Sequence, residues 1–386
     1  MYPTLSDLLR DLFGLDIPLP VQSFGFMLAL SFIAAAYTLQ LELKRKERQG
    51  LIGKIRTERE VGRPAGFVDL SWSFLTGFLV GYKLVYAFSN YALFVEDTQG
   101  VLLSLDGNPM GGLLLGSLMA FLHYREKEKE RLPEPKVIVE YIHPYQTVSN
   151  LTVVAAVSGI IGAKLFHNLE NLDELTADPL HALLSFSGLT MYGGLIVGAL
   201  AVMRYGWKRC IHPLVLADAT APGLMLAYGT GRLGCQISGD GDWGVVNDSV
   251  KPDYLSWLPD WAWAYNYPNN VISEGIPSPG CVGNHCNMLP DAVWPTPLYE
   301  ALACIFLFVV LWLLRERLKT TGKLFSLYLL FNGFERLLIE QIRVNNTFTL
   351  LGLQVTQAMV IASVLIAMGV AGLFLVHKVN TVRAES

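Results

Sequence analysis

The chain has 386 residues, of which 52% are hydrophobic and only 16% are charged. This share of charged residues is too low for a soluble globular protein of this size, so the composition excludes that class and indicates an integral membrane protein. The formal net charge of -4 gives no indication of a nucleic-acid partner, and the informative pattern is the distribution of Lys and Arg between loops.

The first segment, residues 1–20, carries Asp7, Asp11 and Asp16 and lacks a basic leading region. A cleaved signal peptide normally begins with such a basic region. We therefore predict a short amphipathic segment that lies on the outer face of the membrane.

Nine apolar windows follow, each of a length suited to a bilayer, which takes about 17 to 25 residues per helix. They fall near residues 21–42, 66–90, 109–123, 150–168, 190–204, 214–238, 297–314, 323–343 and 353–376. The pattern predicts an all-α polytopic membrane protein with about nine transmembrane helices.

The cations between these windows predict the orientation of the chain. In an alternating nine-span topology, 22 of the 29 Lys and Arg residues fall on one side, whereas the long segment 239–296 on the other side contains only Lys251. The positive-inside rule then places the N-terminus outside and the C-terminus inside. Segment 239–296 is accordingly predicted to be an extracytoplasmic cap, and the alternative is an aromatic layer at the membrane interface. We call residues 239–296 the cap.

Residues 70–124 and 151–205 form an internal repeat with a spacing of 81 residues, which pairs Gly81 with Gly162 and Lys83 with Lys164. Parallel repeats occur in some transporters, but a duplicated packing unit with glycines at a helix contact gives the same pattern. The predicted organisation is an interfacial segment (1–20), the first span with repeat copy 1 (21–149), repeat copy 2 with the next span (150–238), the cap (239–296) and the last three spans (297–386).

Two of the five cysteines, Cys281 and Cys286, lie in the polar sequence CVGNHC of the cap. A local disulfide is expected there if the cap is extracytoplasmic. Zinc binding through His285 is the weaker alternative, because a tetrahedral site needs more ligands.

Four cations lie inside predicted spans: Lys83, Lys164, Arg232 and Arg336. A charge in hydrocarbon costs at least ~2.5 to 3.5 kcal/mol, so such residues usually face a polar cavity and mark function. The alternative is that they extend toward the interface as snorkelling side chains. Their positions put all four at one level of the outer leaflet, roughly 6 to 10 Å below the surface for the first three.

The eighth span contains FNGFERLLIEQIRVNN, where Arg336, Glu340 and Arg343 follow i, i+4 and i+7 and share one helical face. Glu340 is predicted to hold both arginines. The starts of two other spans add Tyr192, Tyr299 and Glu300. Such a ring of donors and carboxylates suits an anionic lipid head group, because guanidinium groups bind phosphate oxygens in pairs.

The run ADATAPGLMLAYGTGRLGCQISGDGDWG (217–244) resembles the signature of bacterial prolipoprotein diacylglyceryl transferases. Asp218, Arg232, Gly234, Gly239 and Gly244 match it, and Asp240 stands in place of the family's glutamate. GLTMYGGLIVG, PTPLYEA and FERLLIEQIR are similar to three further motifs of the family, in the family's order. The resemblance covers about residues 150–345.

The resemblance implies seven core spans, to which one repeat copy is added here, in the bacterial inner membrane. It implies transfer of the diacylglyceryl group of phosphatidylglycerol to the lipobox cysteine thiol of a prolipoprotein. The implied partners are phosphatidylglycerol, the signal segment of the prolipoprotein and membrane lipids. The implied reaction needs no metal and no cofactor. The catalytic residues that it implies are Arg232, Arg336, Tyr192 and Glu340. The buried charges and the resemblance together predict the substrate-binding residues Arg343, Lys164, Asp218, Gly234, Asp240, Tyr299 and Glu300.

Three family residues differ in this chain: the motif histidine is Tyr192, the motif asparagine is Cys235, and the histidine that begins a further motif is Trp294. His167 is an alternative base beside Lys164. Two other functions therefore stay open from the sequence. One is a non-catalytic relative that binds anionic lipid or lipoprotein signal segments, and the other is an ion-coupled transporter.

Overall fold

The computed structural model describes residues 1–177, 182, 190–281, 284–345, 347–350 and 353–384, and most of these residues are helical. The helices are α1 (Leu5–Phe13), α2 (Ser23–Arg48), α3 (Phe67–Ser89), α4 (Tyr91–Glu96), α5 (Thr98–Leu103), α6 (Pro109–Glu130), α7 (Val148–Glu170), α8 (Leu172–Ala177), α9 (Met191–Lys208), α10 (Pro213–Ser238), α11 (Thr296–Leu314), α12 (Lys323–Ile339) and α13 (Gln357–Ala384). Three two-stranded sheets pair β1 (Ile55–Val61) with β2 (Lys136–Ile142), β3 (Ile276–Pro277) with β4 (Asn287–Met288), and β5 (Thr347–Leu350) with β6 (Leu353–Thr356).

Each of the nine predicted apolar windows coincides with a helix in the described part of the chain, namely α2, α3, α6, α7, α9, α10, α11, α12 and α13. Four described helical segments are long and apolar enough to cross a membrane: Ser23–Arg48, Pro144–Glu170, Thr296–Leu314 and Gln357–Val376. The chain is thus a mainly helical membrane protein, and the number of crossings and their orientation stay predictions. The short sheets were not predicted.

The chain divides into two compact units, and the smaller one comprises residues 2–23 and 56–142. In this unit α3 and α6 pack along each other. Helix α1 begins with a capping box between Thr4 and Asp7 and ends at Gly14, whose φ of 67° is left-handed. The larger unit comprises Met1, residues 24–55 and residues 143–386.

The two repeat copies contain equivalent glycine contacts. A Cβ at Gly81 would lie 2.3 Å from the carbonyl oxygen of Gly111, and a Cβ at Gly162 would lie 2.5 Å from that of Gly193. Only glycine permits two helix backbones to approach so closely. These contacts support the packing-unit interpretation of the repeat.

Lys83 forms hydrogen bonds with backbone groups of its own repeat copy. Its Nζ donates to the backbone carbonyl oxygens of Val101 at 2.9 Å and Asp106 at 2.8 Å, and it also donates to Ser104. These bonds hold the chain that connects α3 to α6. The ammonium therefore satisfies backbone acceptors within its own unit.

The glycine contact between α7 and α9 leads to a stability prediction. We expect Gly162→Ala to lower the free energy of unfolding by about 1 to 3 kcal/mol, because the added methyl group must push the helices apart. The matched control is Gly25→Ala in α2, where a Cβ would have no atom within 4 Å. Thermal unfolding of both variants in detergent checks this, and an unchanged midpoint for Gly162→Ala would contradict the close-contact interpretation.

The cap contains a disulfide between Cys281 and Cys286, which are five residues apart and have their Cα atoms 5.5 Å apart. The disulfide prediction is therefore confirmed. Inside the cap, Trp243, Tyr267, Leu289 and Val293 form a small core. The hydroxyl of Tyr267 donates to Oε1 of Gln236 at 2.8 Å, which joins this core to the last turns of α10.

Candidate functional site

Arg232 lies in the last two turns of α10, between two neighbouring helices. Gly229 permits close contact with α11, since a Cβ there would lie 3.1 Å from the carbonyl oxygen of Ala301. A Cβ at Gly234 would lie 3.0 Å from the Cβ of Met27 in α2. Arg232 is thereby held in the interior of the larger unit, with its guanidinium 5.4 Å from the ring centre of Tyr228.

Glu300, near the start of α11, is the common partner of three arginines. Its Oε2 lies 2.6 Å from Nε of Arg232. Its Oε1 accepts from Nη1 of Arg336 at 2.9 Å and from Nη1 of Arg343 at 3.3 Å. Because the Glu300 side chain is 0% exposed, this carboxylate sets the positions of all three guanidinium groups. We call Arg232, Arg336 and Arg343 the arginine cluster.

Glu340 holds one arginine of the cluster, as predicted, but not the other. Its Oε2 lies 3.0 Å from Nη2 of Arg336, and its Oε1 accepts from Asn345 at 2.7 Å and from Thr356 at 2.6 Å. The prediction that it also holds Arg343 is wrong. Helix α12 ends at Ile339 and a 3-10 turn follows, so Arg343 has extended backbone and leaves the helical face.

Asp242 is the partner that the sequence analysis missed. Its Oδ2 binds Nη1 of Arg232 and its Oδ1 binds Nη2 of Arg343, so one carboxylate bridges two arginines. The preceding turn contains Gly239 and Gly241, whose φ values of 66° and 96° are left-handed. The repeated Gly-Asp pair in SGDGDWG was the available signal, because either aspartate could occupy the predicted acidic position.

Asp240 occupies the other acidic position of this turn. Its Oδ1 accepts from the backbone N–H of Asp242 at 3.4 Å, and its carboxylate accepts a hydrogen bond from Cys235. Burial raises the pKa of Asp240 above the usual value of an aspartate. The structure therefore places Asp240 as a support of the turn and not in contact with the arginine cluster.

Cys235, Asp240 and Asp242 place one potential metal-ligand atom each within 4.8 Å of one another. The guanidinium of Arg232 already binds Asp242 and lies 3.8 Å from the sulfur of Cys235. The guanidinium of Arg232 thus supplies the positive charge beside Cys235 and Asp242. The donor set does not fit a metal ion.

Asp218 lies at the opposite end of α10, fourteen residues before Arg232 and so about 21 Å away along the helix. Its carboxylate accepts from the backbone N–H groups of Gly322 at 2.7 Å and Phe325 at 2.9 Å, and Nζ of Lys46 lies 3.9 Å away. Asp218 therefore caps the start of α12. Asp218 therefore lies apart from the arginine cluster, and its predicted role in substrate binding stays a prediction.

Two other predicted residues, and a tryptophan that stands in place of a family histidine, are positioned as follows. Gly234 serves helix packing, as described above. The hydroxyl of Tyr299 donates to the carbonyl oxygen of Ala262 at 2.8 Å, which fixes the cap to α11. Trp294, which precedes α11, packs its ring edge-on against Trp263 with ring centres 4.8 Å apart. The contacts of Tyr299 and Trp294 fix the backbone at the start of α11, where Glu300 lies.

Tyr192 and Lys164 lie on α9 and α7, which pack together, and both are partly buried. In the described ranges, Tyr192 makes no hydrogen bond with a member of the arginine cluster. His167 has its Nδ1 3.2 Å from the amide nitrogen of Asn171. The functional roles of Tyr192, Lys164 and His167 stay predictions.

The sequence matches the family model for prolipoprotein diacylglyceryl transferase over residues 112–375. It is 29% identical over 228 residues to a phosphatidylglycerol–prolipoprotein diacylglyceryl transferase of Dehalococcoides mccartyi, which covers 58% of this chain and 75% of the relative. The enzyme of the same name from Lactococcus lactis is 29% identical over 191 residues (49% and 63%), and that from Corynebacterium efficiens is 27% identical over 248 residues (63% and 70%).

The matched range contains α7 to α12 and most of α13, and it includes all members of the arginine cluster. A match of this extent favours a transferase over the ion-coupled transporter that the repeat had left open. This chain belongs to the prolipoprotein diacylglyceryl transferase family, a family of transferases.

Proposed function

We propose that this chain transfers the diacylglyceryl group of phosphatidylglycerol to the lipobox cysteine thiol of prolipoproteins, at the outer leaflet of the bacterial inner membrane. The observation that carries the proposal is the convergence of Arg232, Arg336 and Arg343, from three separate segments, on the single buried carboxylate of Glu300. Arginines in such an arrangement suit a phosphate, because each guanidinium carries five N–H donors and the ion pairs use only some of them.

The carboxylates of the site differ in what they can do. Glu300 and Glu340 are 0% exposed, and each binds more than one donor. They orient the guanidinium groups before substrate binds, which lowers the cost of binding. Arg336 lies between these two carboxylates, whereas Arg232 and Arg343 each pair with Glu300 and with Asp242. The lipid phosphate would bind to the N–H donors that remain.

In the proposed reaction the thiolate sulfur attacks the glyceryl carbon that carries the phosphate ester. A carbon–sulfur bond forms and the carbon–oxygen bond breaks, and the oxygen leaves with the electron pair as glycerol phosphate. The phosphate changes from a monoanionic diester toward a dianion as this bond breaks. The arginine cluster stabilises the negative charge that develops in the transition state. Tyr192 and His167 are the candidate acceptors of the thiol proton.

The cap supports a site that opens at the external membrane surface. Tyr254 and Trp257 are strongly exposed on it. Aromatic side chains of this kind concentrate at the interface between lipid head groups and water. Such a position would leave the arginine cluster just below the surface, within reach of a lipid head group and of an exported signal segment.

Conditional depletion of the native activity in a bacterium, followed by expression of this chain, tests the proposal. We expect this chain to restore the mass increase that a diacylglyceryl group gives to a prolipoprotein. Phosphatidylglycerol synthesis should be required for that increase. If the chain accumulates in the membrane at normal levels and no prolipoprotein gains the lipid mass, the proposal is wrong.

A further inference from the structure

We propose that the carboxylate of Asp242 occupies the position at Arg232 and Arg343 that the lipid phosphate takes during turnover. Asp242 would then compete with the phosphate for the two arginines. This competition would lower the affinity for phosphatidylglycerol and speed the release of glycerol phosphate. This inference rests on the proposed function and adds to it a residue that sets affinity and product release.

The first support is the way in which Asp242 binds. Each of its two carboxylate oxygens binds a different guanidinium, that of Arg232 or that of Arg343. A phosphodiester also offers two unesterified oxygens with one shared negative charge, and such groups bind arginine in the same two-oxygen manner. A phosphate in this position would therefore make the same pair of ion contacts.

The second support is the charge of the site. The three arginines of the cluster face three carboxylates, those of Glu300, Glu340 and Asp242. Exchange of one carboxylate for one monoanionic phosphodiester leaves this balance unchanged. Addition of a phosphate beside a retained Asp242 would instead place like charges together in a largely buried site, which is unfavourable.

The third support is that the Asp242 side chain is partly open to solvent, whereas the other two carboxylates are fully buried. The Asp242 side chain is 31% exposed, compared with 0% for Glu300 and Glu340. The turn before it contains two left-handed glycines, Gly239 and Gly241. Glycine offers the backbone freedom that a shift of this turn needs.

The chain directly after this turn is anchored. The hydroxyl of Thr296 donates to the carbonyl oxygen of Asp242 at 2.8 Å, and Trp243 is part of the buried core of the cap. A displacement of the Asp242 side chain is thus confined to the short turn and does not require the cap to open.

Binding of glycerol phosphate to the purified full chain in detergent tests the exchange. If Asp242 is away from the arginines in about one tenth of the molecules, only that fraction can bind glycerol phosphate. Asp242→Asn removes the competing charge and should then lower the Kd for glycerol phosphate about tenfold. During turnover the same variant should show a lower KM for phosphatidylglycerol, a lower kcat and stronger inhibition by glycerol phosphate. Asp242→Glu retains the competing charge and should bind glycerol phosphate much as the wild type does. The control is Asp260→Asn, whose carboxylate is 95% exposed on the cap surface.

A second measurement uses the wild type alone. Hydrogen–deuterium exchange of the amides in residues 239–242 should increase when glycerol phosphate binds, because Asp242 releases its two arginines. Slower or unchanged exchange in this turn would overturn the proposal, as would unchanged or weaker binding by a folded Asp242→Asn variant. A wild-type chain that does not bind glycerol phosphate at all would instead count against the proposed function as well.

Discussion

Replacing Arg232 by alanine is expected to reduce lipid transfer by about 10²- to 10³-fold, the loss typical of a group that stabilises charge in a transition state. Arg232 contacts both Glu300 and Asp242, and it is the cluster member that comes from α10. Its removal takes away one phosphate donor and also leaves the buried Glu300 with two arginines in place of three. Prolipoprotein modification in depleted cells, read by mass, measures the effect.

The matched control is Arg209→Ala. Arg209 follows α9 and its guanidinium lies 5.3 Å from the ring centre of Tyr205. The arginine cluster does not include it, so modification should continue at the wild-type rate. Full modification by Arg232→Ala, with membrane levels equal to those of the control, would remove Arg232 from the mechanism.

Glu300→Gln is expected to produce the largest loss of stability, about 3 to 5 kcal/mol, because breaking a buried ion-pair network leaves uncompensated charge. One carboxylate here pairs with three guanidinium groups that come from α10, α12 and the turn after α12. The amide retains the shape of the side chain but loses its charge. The thermal unfolding midpoint in detergent, together with the amount of folded chain recovered from membranes, measures the effect.

Glu316→Gln is the control for this variant. Glu316 is 70% exposed and pairs with Arg315 at 3.6 Å. Exposed ion pairs contribute about 0 to 1 kcal/mol, so this change should be nearly neutral. If Glu300→Gln unfolds at the same temperature as Glu316→Gln, then Glu300 does not hold the cluster together.

Local patterns were sufficient for much of the site. Arg336 and Glu340 are one helical turn apart, and the structure joins them at 3.0 Å. The same reasoning failed for Arg343, because it assumed that α12 continues to that residue. A helix that ends one turn early redirects every later side chain, and the sequence around Ile339 contains no glycine or proline that marks this end.

The resemblance to a family also grouped two residues that the structure separates. Asp218 matches the family signature, and it was grouped with Arg232 because both lie in one continuous motif. The two residues lie at opposite ends of α10, and Asp218 caps α12. Proximity in a motif does not imply proximity in space when the motif is a helix of 26 residues.

The amino-acid sequence by itself determined the helical segments, the glycine-mediated repeat and the disulfide of the cap, since each depends on residues that are close in the chain or on the apolar content of a window. Only the tertiary structure decided that Glu300 is shared by three arginines and that Asp242, not Asp240, bridges two of them. Those contacts join residues up to 101 positions apart. They depend on how α10, α11 and α12 pack and on the course of a two-glycine turn, neither of which a local pattern specifies.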